Sequence, residues 1–281
     1  NNIQLAIRKD QFPSAFASED ITIAHRSLSD RKLTKQIGNR AFDKTGVESV
    51  LNINHAFEID WYNDPQNELI LKPGESLELE VSDLTNVEQK AVFKYDPQAE
   101  FWIYLGDIVE NKALLREKGY YAIAEYYPAV VAQSQLIMDM KPVAYQSLKI
   151  ETVTEGLELY ARTTSKGNWI SLVPKTTHLN IQVQNSCDEL ITEYGLSTQD
   201  EDESYSAQDL VNVQSSFVNL NTVVINCDGE PQESTIITIQ ESGLNSTYIF
   251  DDENPDVWIS SCEEDISIFA TNDVTGETGP S

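Results

Sequence analysis

Apolar and polar residues alternate with a period of two along much of the chain, the spacing that sends successive side chains to opposite faces of a β-strand. Leu51 to Ile59 alternates in this way, and Leu77, Leu79 and Val81 share one face of Ser76 to Val81. Glu68 to Leu71 runs into a Pro73-Gly74 turn. Ala91 to Tyr95 stops at Asp96-Pro97 and Phe101 to Leu105 follows, which predicts a hairpin. Tyr120 to Tyr127 is a further strand, closed by Pro128. Ser147 to Val153, Leu157 to Ala161, Trp169 to Val173 and His178 to Val183 continue the pattern. So do Thr222 to Asn226, Ser234 to Ile239, Thr247 to Phe250, Val257 to Ser260 and Ile266 to Ala270. The one helical candidate is Ile108 to Lys118. Many short strands separated by turn residues predict an all-β fold of two or three small antiparallel β-sandwich modules in tandem.

Composition along the chain places the expected boundaries. Residues 1–130 form an amino-terminal β-sandwich domain, with a linker within Ala129 to Pro142, where residues are small or polar and both methionines occur. Residues 143–198 form a second module and residues 211–275 a third, with Thr275 to Ser281 as a disordered tail. The second and third modules share an outline of short strands, a polar turn and an aromatic strand, which suggests a divergent repeat.

The segment Thr164-Ser-Lys-Gly-Asn-Trp-Ile-Ser-Leu-Val-Pro174, with the strand His178 to Val183 behind it, resembles the carboxypeptidase regulatory-like domain. Cys227-Asp-Gly-Glu-Pro231 looks like the opening of another such unit. Combined with Phe101-Trp102 and Gly119-Tyr120-Tyr121 in the first domain, the chain is similar to surface lipoproteins of Bacteroidetes-type bacteria. The resemblance implies small transthyretin-like β-sandwiches without catalytic residues. It also implies export to the cell surface or outer membrane, and a scaffold or binding role.

Charge sharpens the division. The net charge is −27, and all 19 Lys and Arg lie at or before Lys175, so residues 176–281 carry 21 acids and no base. Nucleic acid is excluded as a partner, because phosphates would meet a strongly negative chain with few cations. An acidic module is a solvated surface, a Ca²⁺ site or a face for a basic partner. No segment approaches the roughly 18 apolar residues of a membrane span. A signal peptide or lipid-attachment cysteine, if used, would lie before Asn1. Three cysteines are too few for a disulfide scaffold and show no metal spacing. In an exported protein Cys227 and Cys262, 35 positions apart, are the expected disulfide, leaving Cys187 odd; buried reduced thiols are the alternative.

Candidate chemistry is sparse. His25, His55 and His178 fall in no metal motif, and no G-x-S-x-G elbow or glycine-rich phosphate loop occurs, so an envelope hydrolase is only a third reading. The aromatic residues Trp102, Tyr104, Tyr120, Tyr121, Tyr126 and Tyr127 are the candidate ligand or partner surface. The alternative is that strand alternation buries about half of them. Asp251, Asp252, Glu253 and Asp256 are the densest acidic cluster and the candidate Ca²⁺ ligands, although they do not follow the EF-hand spacing. No other cofactor is expected. The sequence is thus read as a non-enzymatic, exported binding or scaffold component that docks to a cell-envelope protein, such as a member of an outer-membrane complex. A carbohydrate-binding or adhesion module with structural Ca²⁺ is the alternative.

Overall fold

A computed structural model describes residues 3–6, 11–12, 22–28, 38–64, 67–68, 70–81, 90–153, 156–221, 223–225, 228–230, 235–241, 244–250, 256–262, 266–272 and 278–279. The fold is nearly all β, with mostly antiparallel strands as the alternation requires. The chain divides into two compact units, residues 1–129 and 130–281.

The strands of the first unit are β1 (Ile3–Ala6), β2 (Thr22–Leu28), β3 (Arg40–Phe42), β4 (Glu48–Asp64), β5 (Asn67–Glu68), β6 (Leu77–Val81), β7 (Ala91–Asp96), β8 (Phe101–Asp107) and β9 (Lys112–Leu115). It also holds the first half of the long strand β10 (Gly119–Met138). β1, β6 and β9 form a three-stranded sheet in the order β1-β6-β9. Five of the other strands form a ring: β4 pairs with β10, β10 with β7, β7 with β8, β8 in parallel with β3, and β3 with β4, while β2 and β5 pair with β4 outside it. This closure removes the edges of an open sheet as far as the Phe42–Ile103 pair, where β3 ends.

Two apolar clusters follow from the alternation of these strands. One joins Leu77, Leu79, Ala113 and Leu115 of the three-stranded sheet to Phe57, Ile59, Val92, Tyr121 and Ile123. The other lies on the opposite faces and sets Phe93 and Trp102 among Ala41, Ala91, Ala122 and Ala124. Trp102 is fully buried and its indole Nε1 donates to the Gly38 carbonyl at 3.1 Å. A β-bulge at Ile123/Ala124 interrupts the β4–β10 register. Near it Lys90 is buried at the start of β7, with its ammonium 3.8 Å from Glu125.

Ile108 to Lys118 is not a helix. Glu110 and Asn111 take positive φ of 51° and 62°, and Val109 and Lys112 exchange both backbone hydrogen bonds. This is the two-residue hairpin geometry that requires left-handed backbone at both central positions. β9 follows it with Ala113 and Leu115 buried and Lys112 and Leu114 exposed. The expected linker is also absent as such: Ala129 to Met138 continues β10, with Val130, Ala132, Ser134, Leu136 and Met138 buried in alternation.

In the second unit β10 is followed by β11 (Lys141–Pro142), β12 (Ser147–Thr152), β13 (Glu158–Arg162), β14 (Asn168–Pro174), β15 (His178–Gln184), β16 (Leu190–Ser197), β17 (Glu203–Ser204) and β18 (Gln208–Asp209). Then come β19 (Phe217–Asn221), β20 (Thr235–Glu241), β21 (Leu244–Phe250), β22 (Asp256–Ser260), β23 (Ser267–Asn272) and β24 (Thr278–Gly279). A strand falls on Phe217–Asn221, just before the Thr222–Asn226 expected from the sequence. Thr278–Gly279, expected to be disordered, pairs with Ala270 and Thr271.

The same plan occurs twice. β13-β12-β15-β16 form one four-stranded sheet, and the remaining strand β14 pairs with β10. β21-β20-β23-β24 form another in the same relative order, and the remaining strand β22 pairs with β19. Trp169 lies on β14 and Trp258 on β22, the corresponding strands. This shared order is the structural form of the repeat suggested by the sequence. The turn Thr164–Asn168 forms as its residues predict. Gly167 takes a left-handed φ of 75°, and a Cβ there would lie 2.4 Å from the Leu136 carbonyl oxygen.

The two copies are joined within this unit. Ala144 N–H donates to the Trp258 carbonyl at 2.7 Å, and Trp258 Nε1 donates to the Met138 carbonyl at 2.9 Å. Tyr145 packs against Tyr248 and Phe250, with Arg162 over the Tyr145 and Tyr248 rings. Cys187, in the β15–β16 turn, forms a disulfide with Cys262, between β22 and β23. The expected Cys227–Cys262 pair is therefore replaced by Cys187–Cys262, and Cys227 lies outside the described residues. Sequence spacing favoured a link inside one module; the packing of the two copies instead brings a turn of each together.

Candidate binding site

A cavity of about 580 Å³ with apolar walls opens in the first unit, within the range typical of ligand sites. Four elements build it. Val92 and Lys94 come from β7, and Leu105, Gly106 and Asp107 from β8. Val109, Lys112, Ala113 and Leu114 come from the β9 hairpin, while Arg116, Glu117 and Tyr121 come from the connection into β10 and from β10 itself. The buried Val92, Ala113 and Tyr121 give it an apolar wall, and the exposed Leu105, Val109 and Leu114 line it further. Gly106 matters because it pairs with Val92, whose side chain belongs to the core between the two sheets. A Cβ built on Gly106 would meet nothing within 4 Å.

Three cations and two carboxylates line the cavity, in a chain whose net charge is −27. Lys94 pairs with Glu117, and Lys112 donates to Glu78 at 2.7 Å. The hydrogen bond and charge of Glu78 hold Lys112 above the usual lysine range. Asp107 lies 3.8 Å from the Lys44 ammonium. Arg116 is exposed, and among the described residues no carboxylate lies within ion-pair distance of it. The described lining of the site combines these cations with apolar walls, an arrangement suited to an anion with apolar substituents.

The predicted aromatic residues do not share one face. Tyr121 is buried in the first apolar cluster, lines the cavity and donates its hydroxyl to the Glu117 carbonyl. Trp102 is buried in the second cluster, where Tyr104 and Tyr126 pack at its margin and make edge-on contacts with Phe93 and with each other. Tyr120 and Tyr127 are half-buried, and Tyr127 donates to Glu125 at 2.8 Å. Of the acidic cluster, Asp251, Asp252 and Glu253 lie outside the described residues; Asp256 accepts an ion pair from Lys141 at 2.8 Å. Among the described residues no group of three His, Cys, Asp or Glu side chains could hold a metal ion. No described helix is long and apolar enough to cross a membrane.

The packing of the tyrosines has a measurable consequence. Burial, aided by the hydrogen bond and charge of Asp107, pushes the Tyr104 phenol up to about 12. Burial also raises Tyr121, Tyr194 and Tyr205, the last helped by Glu203. A raised phenol favours the fold in its neutral form. Its contribution is complete below the unfolded value near 10 and is lost as pH climbs through about 12 for Tyr104. In a spectrophotometric titration a subset of the 12 tyrosines should therefore ionise late, together with loss of near-ultraviolet circular dichroism. Ionisation of all 12 near pH 10 with that signal intact would contradict this packing.

No family model and no curated protein matches the chain. Among solved structures, the Bacillus anthracis TIE protein is similar at 8% sequence identity and a TM-score of 0.22. The match covers 93% of this chain and 55% of that one, so the chain spans about half the length of that protein. A likeness this distant carries no inference.

Proposed function

We propose that the protein is an exported, non-catalytic binding or scaffold component that docks to another cell-envelope protein. The observation that carries this reading is the cavity of the first unit, whose apolar wall and cations lie open beside exposed Leu105, Val109 and Leu114. Clustered apolar exposure of this kind is characteristic of an interaction site. The Cys187–Cys262 disulfide supports export, because such bonds persist in oxidising compartments. The repeated strand plan and the Thr164–Asn168 turn support reading the second unit as a pair of carboxypeptidase regulatory-like sandwiches that carry the docking unit.

Two measurements test the reading together. Impermeant biotin should label the protein on intact cells, and immobilised protein should retain one envelope protein in stoichiometric amount from detergent-solubilised membranes. Gly106→Leu, which fills open space, should abolish that capture while leaving the melting temperature unchanged. Failure of surface labelling, or recovery of this protein alone, would overturn the proposal.

A further inference from the structure

Two strand edges that have no neighbour among the described residues meet at the cavity. β8 pairs with β7 along its length, but on its other side β3 accompanies it only as far as the Phe42–Ile103 pair. Among the described residues no strand continues the sheet beside Tyr104 to Asp107. Among the described residues β9 is likewise the last strand of its sheet, with β6 on one side only. The side chains at these edges are apolar and exposed: Leu105 at 43%, Leu114 at 54% and, in the hairpin beside them, Val109 at 66%. An uncovered apolar edge is a template for another strand, and proteins ordinarily blunt it with charge, proline or a covering segment. Here the edge leads into a void, because Gly106 leaves empty the place its side chain would take beside Val92.

From this arrangement we infer that the cavity receives an extended acidic peptide of the docking partner. The peptide adds as a strand along β8, sends alternate apolar side chains into the space beside Gly106 and Tyr121, and sets a carboxylate on Arg116. The inference rests on the docking reading above and specifies the chemistry of what docks. Charge selects the sign: Lys94 and Lys112 already hold a glutamate each, whereas Arg116 has no acidic partner among the described residues. Main-chain geometry selects the class. A fatty acid could fill the apolar space and meet the guanidinium, but it has no amide groups to pair with the backbone of Leu105 to Asp107. Strand addition supplies them, with the ladder giving affinity and alternate side-chain pockets giving selectivity.

The test uses the full chain and fluorescence anisotropy with labelled octapeptides in which valine alternates with glutamate. Three comparators accompany them: the lysine counterpart, a version N-methylated on alternate amides, and sodium dodecanoate as competitor. The glutamate peptide should bind, and exchange to lysine, N-methylation or Gly106→Leu should each weaken it by roughly tenfold or more. Arg116→Glu should reverse the preference between glutamate and lysine. Equal affinity for both signs, indifference to N-methylation, or no saturable binding would overturn the inference. Stronger binding of dodecanoate would assign the cavity to a lipid acid. Concentration-dependent self-association abolished by Gly106→Leu would assign it to a second copy, and either result overturns strand addition by a partner. If all peptides fail while an envelope partner is still captured by both wild type and Gly106→Leu, this inference falls and docking survives at another surface.

Discussion

Replacing Trp102 by alanine should destabilise the first unit by about 3–5 kcal/mol, the range for deleting a buried aromatic side chain. The surroundings place the cost towards the upper part of that range. Trp102 is fully buried, and Ala41, Ala91, Ala122 and Ala124 of the same cluster have no further atoms to move into the space it leaves. The ring also resists collapse at this position, because Trp102 is paired with Ala41 of β3 on one side and with Tyr95 of β7 on the other. Trp102→Phe should cost less, keeping most of the apolar volume but leaving the Gly38 carbonyl without its indole donor. Urea unfolding followed by far-ultraviolet circular dichroism measures both. A midpoint for Trp102→Ala close to that of the wild type would show that the indole is not the centre of this core.

Loss of the Cys187–Cys262 bond should be comparable. The two cysteines are 75 positions apart, and constraining a loop of that length in the unfolded chain contributes roughly 4 kcal/mol in the chain-entropy account. A Cys187→Ser, Cys262→Ser double variant should unfold at lower urea than the oxidised protein and should be indifferent to reductant, whereas the wild type should fall to its level when reduced. Thiol titration of the unreduced, denatured protein should return a single thiol per chain, that of Cys227, from the three cysteines present. Three thiols, or no response of the midpoint to reductant, would remove this bond from the account of stability. Mapping the link calls for cleavage at glutamate, since no Lys or Arg follows Lys175 and trypsin leaves both cysteines in one peptide.

The strands were legible because one face of nearly every sheet meets a core, and period-two alternation is the direct record of that burial. Where the reading failed, the residues show why. Ile108 and Leu115 are seven positions apart, a spacing that also fits two helical turns; what excludes the helix is left-handed backbone at Glu110 and Asn111, which neither residue advertises as glycine would. Val130, Ala132, Ser134, Leu136 and Met138 do alternate, but two small side chains among them gave the segment the composition of a linker. The aromatic residues were legible as a group and not as a surface, because alternation along β8 and β10 distributes them between two cores. The cavity was not legible. Its cations come from β7, β9 and the following connection, and only folding gathers them; the local signal was Gly106, a residue without a side chain near the end of an otherwise bulky aromatic strand. The cysteine pairing depended on how two copies of one module pack, which no spacing within a module records.

The disulfide also fixes how the molecule bears mechanical load. Tension applied between the two chain ends passes from Cys187 to Cys262 through the sulfur atoms, so the intervening 75-residue loop is bypassed. About 250 Å of contour length, at some 3.3–3.6 Å per extended residue, is thereby withheld from stretching. If the acidic third of the chain is what stands between a docked unit and a moving surface, much of it stays short under force, and yielding is confined to the segments outside that covalent loop.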